Sequence, residues 1–165
     1  MDYSLESQPL STIAPLKLIP DLPENFLLMN GDVLTEADFG RLFEEHVRTK
    51  RLFTVSAAAR TQVIDFGVLE ANGDHRLTAF REKPSIDYLV SMGVYIVNRD
   101  VLEMVPAGQK YGFDNLMLDC LRAGRPVHVE RFDGYWLDIG RVDDYMQAVD
   151  EFEQMRPRLL HLSGE

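Results

Sequence analysis

Short apolar runs of strand length alternate along this chain with stretches whose apolar residues recur at helical spacing, and that alternation confines it to a layered α/β architecture. Strands are expected at 26–29, at "LFTVSAAA" (52–59), at "YLVSMGVYIVN" (88–98) and at "VHVERF" (127–132). "VIDFGVLE" and "RLTAFREK" flank Asn72-Gly73-Asp74, which predicts an antiparallel hairpin inserted into the sheet. A helix capped by Thr35, with Asp38 three residues on, would bury Phe39, Leu42, Phe43 and Val47. Two further short helices are expected over Asp100 to Met104 and Asp114 to Arg122, the second stopped by Gly124. "DGYWLDIG" reads as a turn, and a last helix carries Val142, Tyr145, Met146, Val149, Phe152 and Met155 on one stripe. Pro9, Pro15, Pro20 and Pro23 leave room for at most one short helix in the first 25 residues.

The run "FLLMNGDV" (26–33) delivers a carboxylate, Asp32, at the end of a buried strand. In open α/β sheets the crevice beyond the strand ends is where ligands bind, although Asn30-Gly31-Asp32 alone reads equally as a strand-terminating turn. Asp138 also follows strand-like apolar residues beside a glycine, so both acids suit one sheet edge.

The 165 residues suit a single domain. A net charge of -10 repels polyanions, which argues against nucleic acid as a partner. Cys120 is the single cysteine and cannot close an internal disulfide, which suits a reducing compartment. No apolar run approaches the roughly 20 residues of a membrane span, and "MDYSLESQPL" lacks the regions of a signal peptide, so a cytoplasmic protein is expected. His46, His75, His128 and His161 show no zinc spacing.

Four stretches carry a more specific message in their order: "NGD" (30–32), "FGVLE" (66–70), "REKP" (81–84) and "GYWLDIG" (134–140). Together they resemble the sugar-1-phosphate nucleotidyltransferases, the enzymes that make nucleoside diphosphate sugars, and the resemblance runs from about Tyr3 to Phe152. It implies a Rossmann-like nucleotidyltransferase fold with a mixed sheet, a nucleoside triphosphate and a hexose 1-phosphate as substrates, and Mg²⁺ held by Asp32 and Asp138. It also implies that Lys83 grips the sugar phosphate, that Glu82 meets the hexose hydroxyls, and that Gly67 and Gly93 approach the sugar through their main chains. Gly31 and Thr12 fall to the nucleotide side. Pro84 is expected to hold Lys83 extended. Trp136, the only tryptophan, suits either a wall of the sugar site or ordinary packing.

The sequence departs from that family in two places. The usual glycine-rich G-x-G-T-R-L segment and Pro-Lys pair are absent, and "YSLESQPLSTIAPLKLIPDLP" corresponds to the region just before the first metal aspartate. Ser11-Thr12-Ile13-Ala14 stands where the family has Gly-Thr-Ala-Gly against the nucleotide. The chain, 1–165, is therefore expected to be the carboxy-terminal part of the domain, and to leave apolar strand edges uncovered. Either it is a truncated form with impaired transfer, or a partner chain or second copy completes its sheet. A noncatalytic sugar-phosphate binding or regulatory module is the competing function, because the acceptor motifs are retained and the donor loop is not.

Overall fold

Two long strands with two unlike halves organise the molecule, whose computed structural model describes residues 3–160; His161 lies outside them. In chain order the elements are β1 (Asn25–Met29), β2 (Val33–Thr35), α1 (Phe39–Arg48), β3 (Phe53–Val63), β4 (Val68–Ala71), β5 (Leu77–Arg81), β6 (Ser85–Asn98), α2 (Phe113–Arg122), β7 (Val127–Phe132), β8 (Trp136–Asp138) and α3 (Val142–Leu159). Two 3-10 turns, Ala14–Leu18 and Arg99–Met104, complete the list. The main sheet runs β1-β6-β3-β7, antiparallel except where β3 and β7 pair in parallel. β4 and β5 form the inserted hairpin, and β2 pairs with β8 in a separate ribbon. The expected mixed α/β sheet with a hairpin insertion is what the chain forms.

Side-chain alternation divides the sheet into two faces. Phe53, Val55, Tyr95 and Val97 point to one side, where they meet the amino-terminal turn through Ile13 and Leu16, and α2 through Phe113, Leu116 and Cys120. Burying each such side chain stabilises the fold by roughly 1.5–3 kcal/mol, so this cluster dominates the core. The rings of Tyr95 and Phe113 stack at 4.0 Å. Cys120 is fully buried here and burial pushes its thiol pKa up, so it acts as a small apolar residue. On the other side Ile96 meets Ala37 and Leu42 beside α1, and Val94, Met92 and Ala58 form a second cluster with Trp136 and Phe132 packed against it.

Beyond Ala58 on β3 and before Met92 on β6 the burial ends, and the two strands run on as an exposed ribbon from Ala59 to Val63 and Ser85 to Ser91. The two halves meet at an irregularity. Val55 pairs with Tyr95 but Ala57 pairs with Ser91, so β6 carries two surplus residues opposite Ser56. Gly93 stands in that bulge at φ +71, a conformation that favours glycine.

Several expectations need correction. Thr35 ends β2 and does not cap α1: its hydroxyl donates to the Tyr135 carbonyl, while Asp38 is the N-cap and accepts from the Arg41 N–H at 2.9 Å. The helix thus starts one turn later, and His46 rather than Val47 is buried. "DGYWLDIG" is not only a turn, because Trp136–Asp138 is a strand. The stripe on α3 is largely exposed, with Val142 at 78 % and Ala148 the buried residue of the helix. The Arg99–Met104 segment winds as a 3-10 turn. β1 borders the sheet, with Leu27 and Met29 exposed on it.

Candidate functional site

The short ribbon of β2 and β8 brings the two distant acids together. Val33 stands opposite Asp138, and the Ile139 N–H donates to the Asp32 carbonyl at 2.9 Å, which extends the pairing through the turn. A Cβ placed on Gly140 would lie 3.0 Å from Asp138 Oδ1 and 3.4 Å from Asp32 Oδ2. The two carboxylate oxygens are therefore no farther apart than the sum of those distances. Both residues are exposed, and Asp138 also accepts the Gly140 N–H at 3.0 Å, which fixes its orientation. A pair of hard oxygen donors open to solvent across one glycine fits a small divalent cation that keeps most of its own waters. Among the described residues no group of three or more His, Cys, Asp or Glu side chains gathers at one point, so two protein ligands are what this site offers.

The bulge in β6 builds the floor beneath this pair. Asn30 donates its N–H to the Gly93 carbonyl at 2.9 Å, and its side chain lies where a Gly93 Cβ would stand, 2.7 Å from Nδ2. The Trp136 indole N–H donates to the Met92 carbonyl at 3.0 Å. Gly93 is thus required by its φ and by Asn30, whereas Gly31 has open space around it. Arg60 lies over the Trp136 ring, its Cζ 4.9 Å from the ring centroid. A cavity of about 560 Å³ opens there, with Tyr88, Trp136, Asp138 and Asp144 among its walls.

The remaining expected residues fall elsewhere. Glu82 and Gly67 meet at the far end of the ribbon, where a Cβ on Gly67 would lie 3.2 Å from Glu82 Oε2. Lys83 is not extended: its φ is +42, and directly after it Pro84 accepts the Ile64 N–H, which carries the β3–β6 pairing one residue beyond Val63 and Ser85. From Ser85 to Gly93 the path along β6 is about 26 Å, at 3.3 Å per residue, so this group stands apart from the paired acids along the strand. Thr12 caps α2, its hydroxyl accepting the Phe113 N–H at 3.1 Å. Sequence reasoning missed Arg60, Asn30 and Tyr88. Arg60 lies just past the strand expected at 52–59 and Tyr88 opens the one expected at 88–98, and neither carries a motif; for Asn30 the reading stopped at the turn it forms.

The pattern of the family described as Nucleotidyl transferase matches residues 1–155. The chain belongs to that family. Among similar proteins, this nucleotidyl transferase family member is 29 % identical over 156 residues to the D-glycero-alpha-D-manno-heptose 1-phosphate guanylyltransferase of Aneurinibacillus thermoaerophilus, covering 93 % of the chain and 67 % of that protein. It is 28 % identical to the UTP–glucose-1-phosphate uridylyltransferase of Synechocystis sp., covering 90 % of the chain and 41 % of that protein. With the glucose-1-phosphate adenylyltransferase of Bacillus subtilis it shares 31 % identity, over 76 % of the chain and 36 % of that protein. The chain thus spans well under half the length of the latter two. The fold matches that of HddC from Yersinia pseudotuberculosis with a TM-score of 0.61 at 24 % identity, covering 89 % of the chain and 64 % of that structure. No helix among the described residues is long and apolar enough to cross a membrane.

Proposed function

We propose that this chain provides the metal and sugar-phosphate part of a site that transfers a nucleotidyl group from a nucleoside triphosphate to a hexose 1-phosphate, releasing pyrophosphate. The observation that carries the reading is the convergence of Asp32 and Asp138 on Gly140. Mg²⁺ held there would neutralise charge building up on the phosphate oxygens. An oxygen of the sugar phosphate attacks the α-phosphorus in line, the new P–O bond forms, and the bond to the pyrophosphate oxygen breaks. Asp138 is held for its role by the Gly140 N–H, and the bulge at Gly93 holds the turn that carries Asp32.

Glu82 and Lys83 enter as residues that meet the hexose phosphate when the ribbon bends over the paired acids, with Gly67 beside them. The left-handed backbone at Lys83 supports this, since such strain clusters at ligand clamps. Gly31 and Thr12 are the nucleotide-side candidates. The open edge of β1 supports a further strand, from a partner chain or a second copy, completing the sheet. The single buried thiol suits work in the cytoplasm.

One observation favours the alternative of a noncatalytic sugar-phosphate module: the Thr12 hydroxyl accepts the Phe113 N–H at the start of α2, which ties it to the helix. Pyrophosphate release separates the two. The chain is mixed with Mg²⁺, each nucleoside triphosphate and a panel of hexose 1-phosphates, with Asp32→Asn as control. Turnover abolished in the variant supports transfer; hexose 1-phosphate binding without turnover supports the module; neither one refutes both.

A further inference from the structure

Among the described residues Arg60 is a cation without an anion. Its guanidinium lies over the Trp136 ring, Cζ 4.9 Å from the centroid, and its only hydrogen bonds among the described residues are long ones, to the Ala59 carbonyl at 3.3 Å and the Trp136 carbonyl at 3.5 Å. No described carboxylate forms an ion pair with it; the same holds for Arg141 on the wall of the cavity described below, and what sets Arg60 apart is the Trp136 ring. In a chain with 27 acidic and 17 basic residues, an arginine left unpaired beside an aromatic ring is placed to receive an anion from outside.

Its position indicates which anion. Arg60 pairs with Tyr88 across the ribbon, and alternation puts both on the same face as Ala58, Val90 and Met92. The same alternation puts Trp136 and Asp138 on one side of β8, two residues apart. Arg60, Tyr88, Trp136, Asp138, Arg141 and Asp144 accordingly wall one cavity of about 560 Å³, the size of a small-molecule site. It offers a guanidinium fork for a phosphate, aromatic surface for a sugar ring, and Asp138 to share a cation with that phosphate.

Resting on the function proposed above, we infer that Arg60, braced on Trp136, binds the phosphate of the hexose 1-phosphate. In this geometry Arg60 and Arg141 are the cations that share the cavity with Asp138, and of the two Arg60 is the one set against an aromatic ring, while Lys83 stands at the other end of the ribbon. The contact with the Trp136 ring restrains the guanidinium before the ligand arrives, so less side-chain freedom is lost on binding.

Trp136 is the only tryptophan, so its emission reports this site directly. The whole chain is titrated with glucose 1-phosphate, mannose 1-phosphate, inorganic phosphate, free glucose and free mannose in Mg²⁺. The expected result is a saturable emission change with at least one hexose 1-phosphate and none with the free hexoses. Arg60→Gln should raise the Kd at least tenfold, and Arg60→Lys, which keeps the charge and loses the fork, should raise it severalfold. Because Arg60 is exposed, both variants should keep the wild-type unfolding midpoint. A Kd for Arg60→Gln within twofold of wild type, an equal response to free hexose, or no saturable response to any phosphate overturns the inference. Pyrophosphate release run in parallel tells the two failures apart: Arg60-dependent binding without turnover counts against the transfer reaction alone, and turnover with Arg60-independent binding counts against Arg60 alone.

Discussion

The Asn30 side chain occupies the space that a Cβ on Gly93 would need, its Nδ2 2.7 Å from that point, while its own N–H donates to the Gly93 carbonyl. This contact joins the end of β1 to the bulge of β6 and sets the height at which Asp32 leaves the sheet.

Gly93→Ala should therefore act twice. An L side chain at φ +71 costs about 1–2 kcal/mol, and the forced shift of Asn30 adds to that. We expect a total loss of about 2–4 kcal/mol in urea unfolding, together with weaker Mg²⁺ binding. Unchanged stability would mean that the bulge does not hold the turn.

Asp32→Asn and Asp138→Asn should each remove the rise in Tm that millimolar Mg²⁺ gives the wild type, since a ligand stabilises only the state that binds it. In Asp138→Asn the new amide oxygen can still accept the Gly140 N–H, so the fold survives. If the two acids serve one ion, as proposed, the double variant should respond to Mg²⁺ no less than either single one. A full Mg²⁺ shift in both single variants would sink the shared site.

His46 makes stability depend on pH. It is fully buried on α1, its Nδ1 2.9 Å from Thr54 Oγ1, and burial, with the nearby positive charge of Arg51 and His128, lowers its pKa from 6.5 to about 4. A folded-state pKa below the unfolded one means that the unfolded chain binds the proton more readily. The contribution is complete above pH 6.5 and is lost as pH falls towards 4, by on the order of 2 kcal/mol. Unfolding across that window should show a smaller fall in His46→Asn than in wild type. Equal slopes would show that His46 does not titrate on unfolding.

Glu36 links α3 to the β2–β8 ribbon unequally through Tyr135 and Arg158. Its Oε1 accepts the Tyr135 N–H at 2.8 Å, and Arg158 grips both carboxylate oxygens at 2.6 Å from a largely exposed position. Exposed ion pairs contribute about 0–1 kcal/mol, whereas an abandoned partly buried N–H costs about 1–3 kcal/mol. Glu36→Ala should therefore destabilise more than Arg158→Ala in thermal unfolding. Equal losses would show that the ion pair, which both variants remove, is all that Glu36 contributes.

Much of this was legible in the residues. β7 spans the expected 127–132, and the Asn72-Gly73-Asp74 hairpin forms between β4 and β5. What escaped was short or tertiary in origin. β2 and β8 have three residues each, too few for alternation to show, yet their pairing is what joins Asp32 to Asp138. Thr35 carries a good capping signal that the Tyr135 carbonyl outcompetes. Arg60 reads as a solvated strand residue until Trp136, 76 positions later, is laid beneath it.

The surplus in β6 has an arithmetic consequence. Two is an even number, so Ser91 still looks the same way as Tyr95, and their hydroxyls meet at 3.1 Å across the irregularity. Removing one residue there would leave an odd surplus, which strand alternation cannot absorb without rewinding the bulge. Removing both surplus residues would set Val94 opposite Ser56 and leave Ala57 opposite Ser91, so the ribbon would keep its register and its facing. Parity, more than the identity of any one side chain there, decides which surface a ligand would meet.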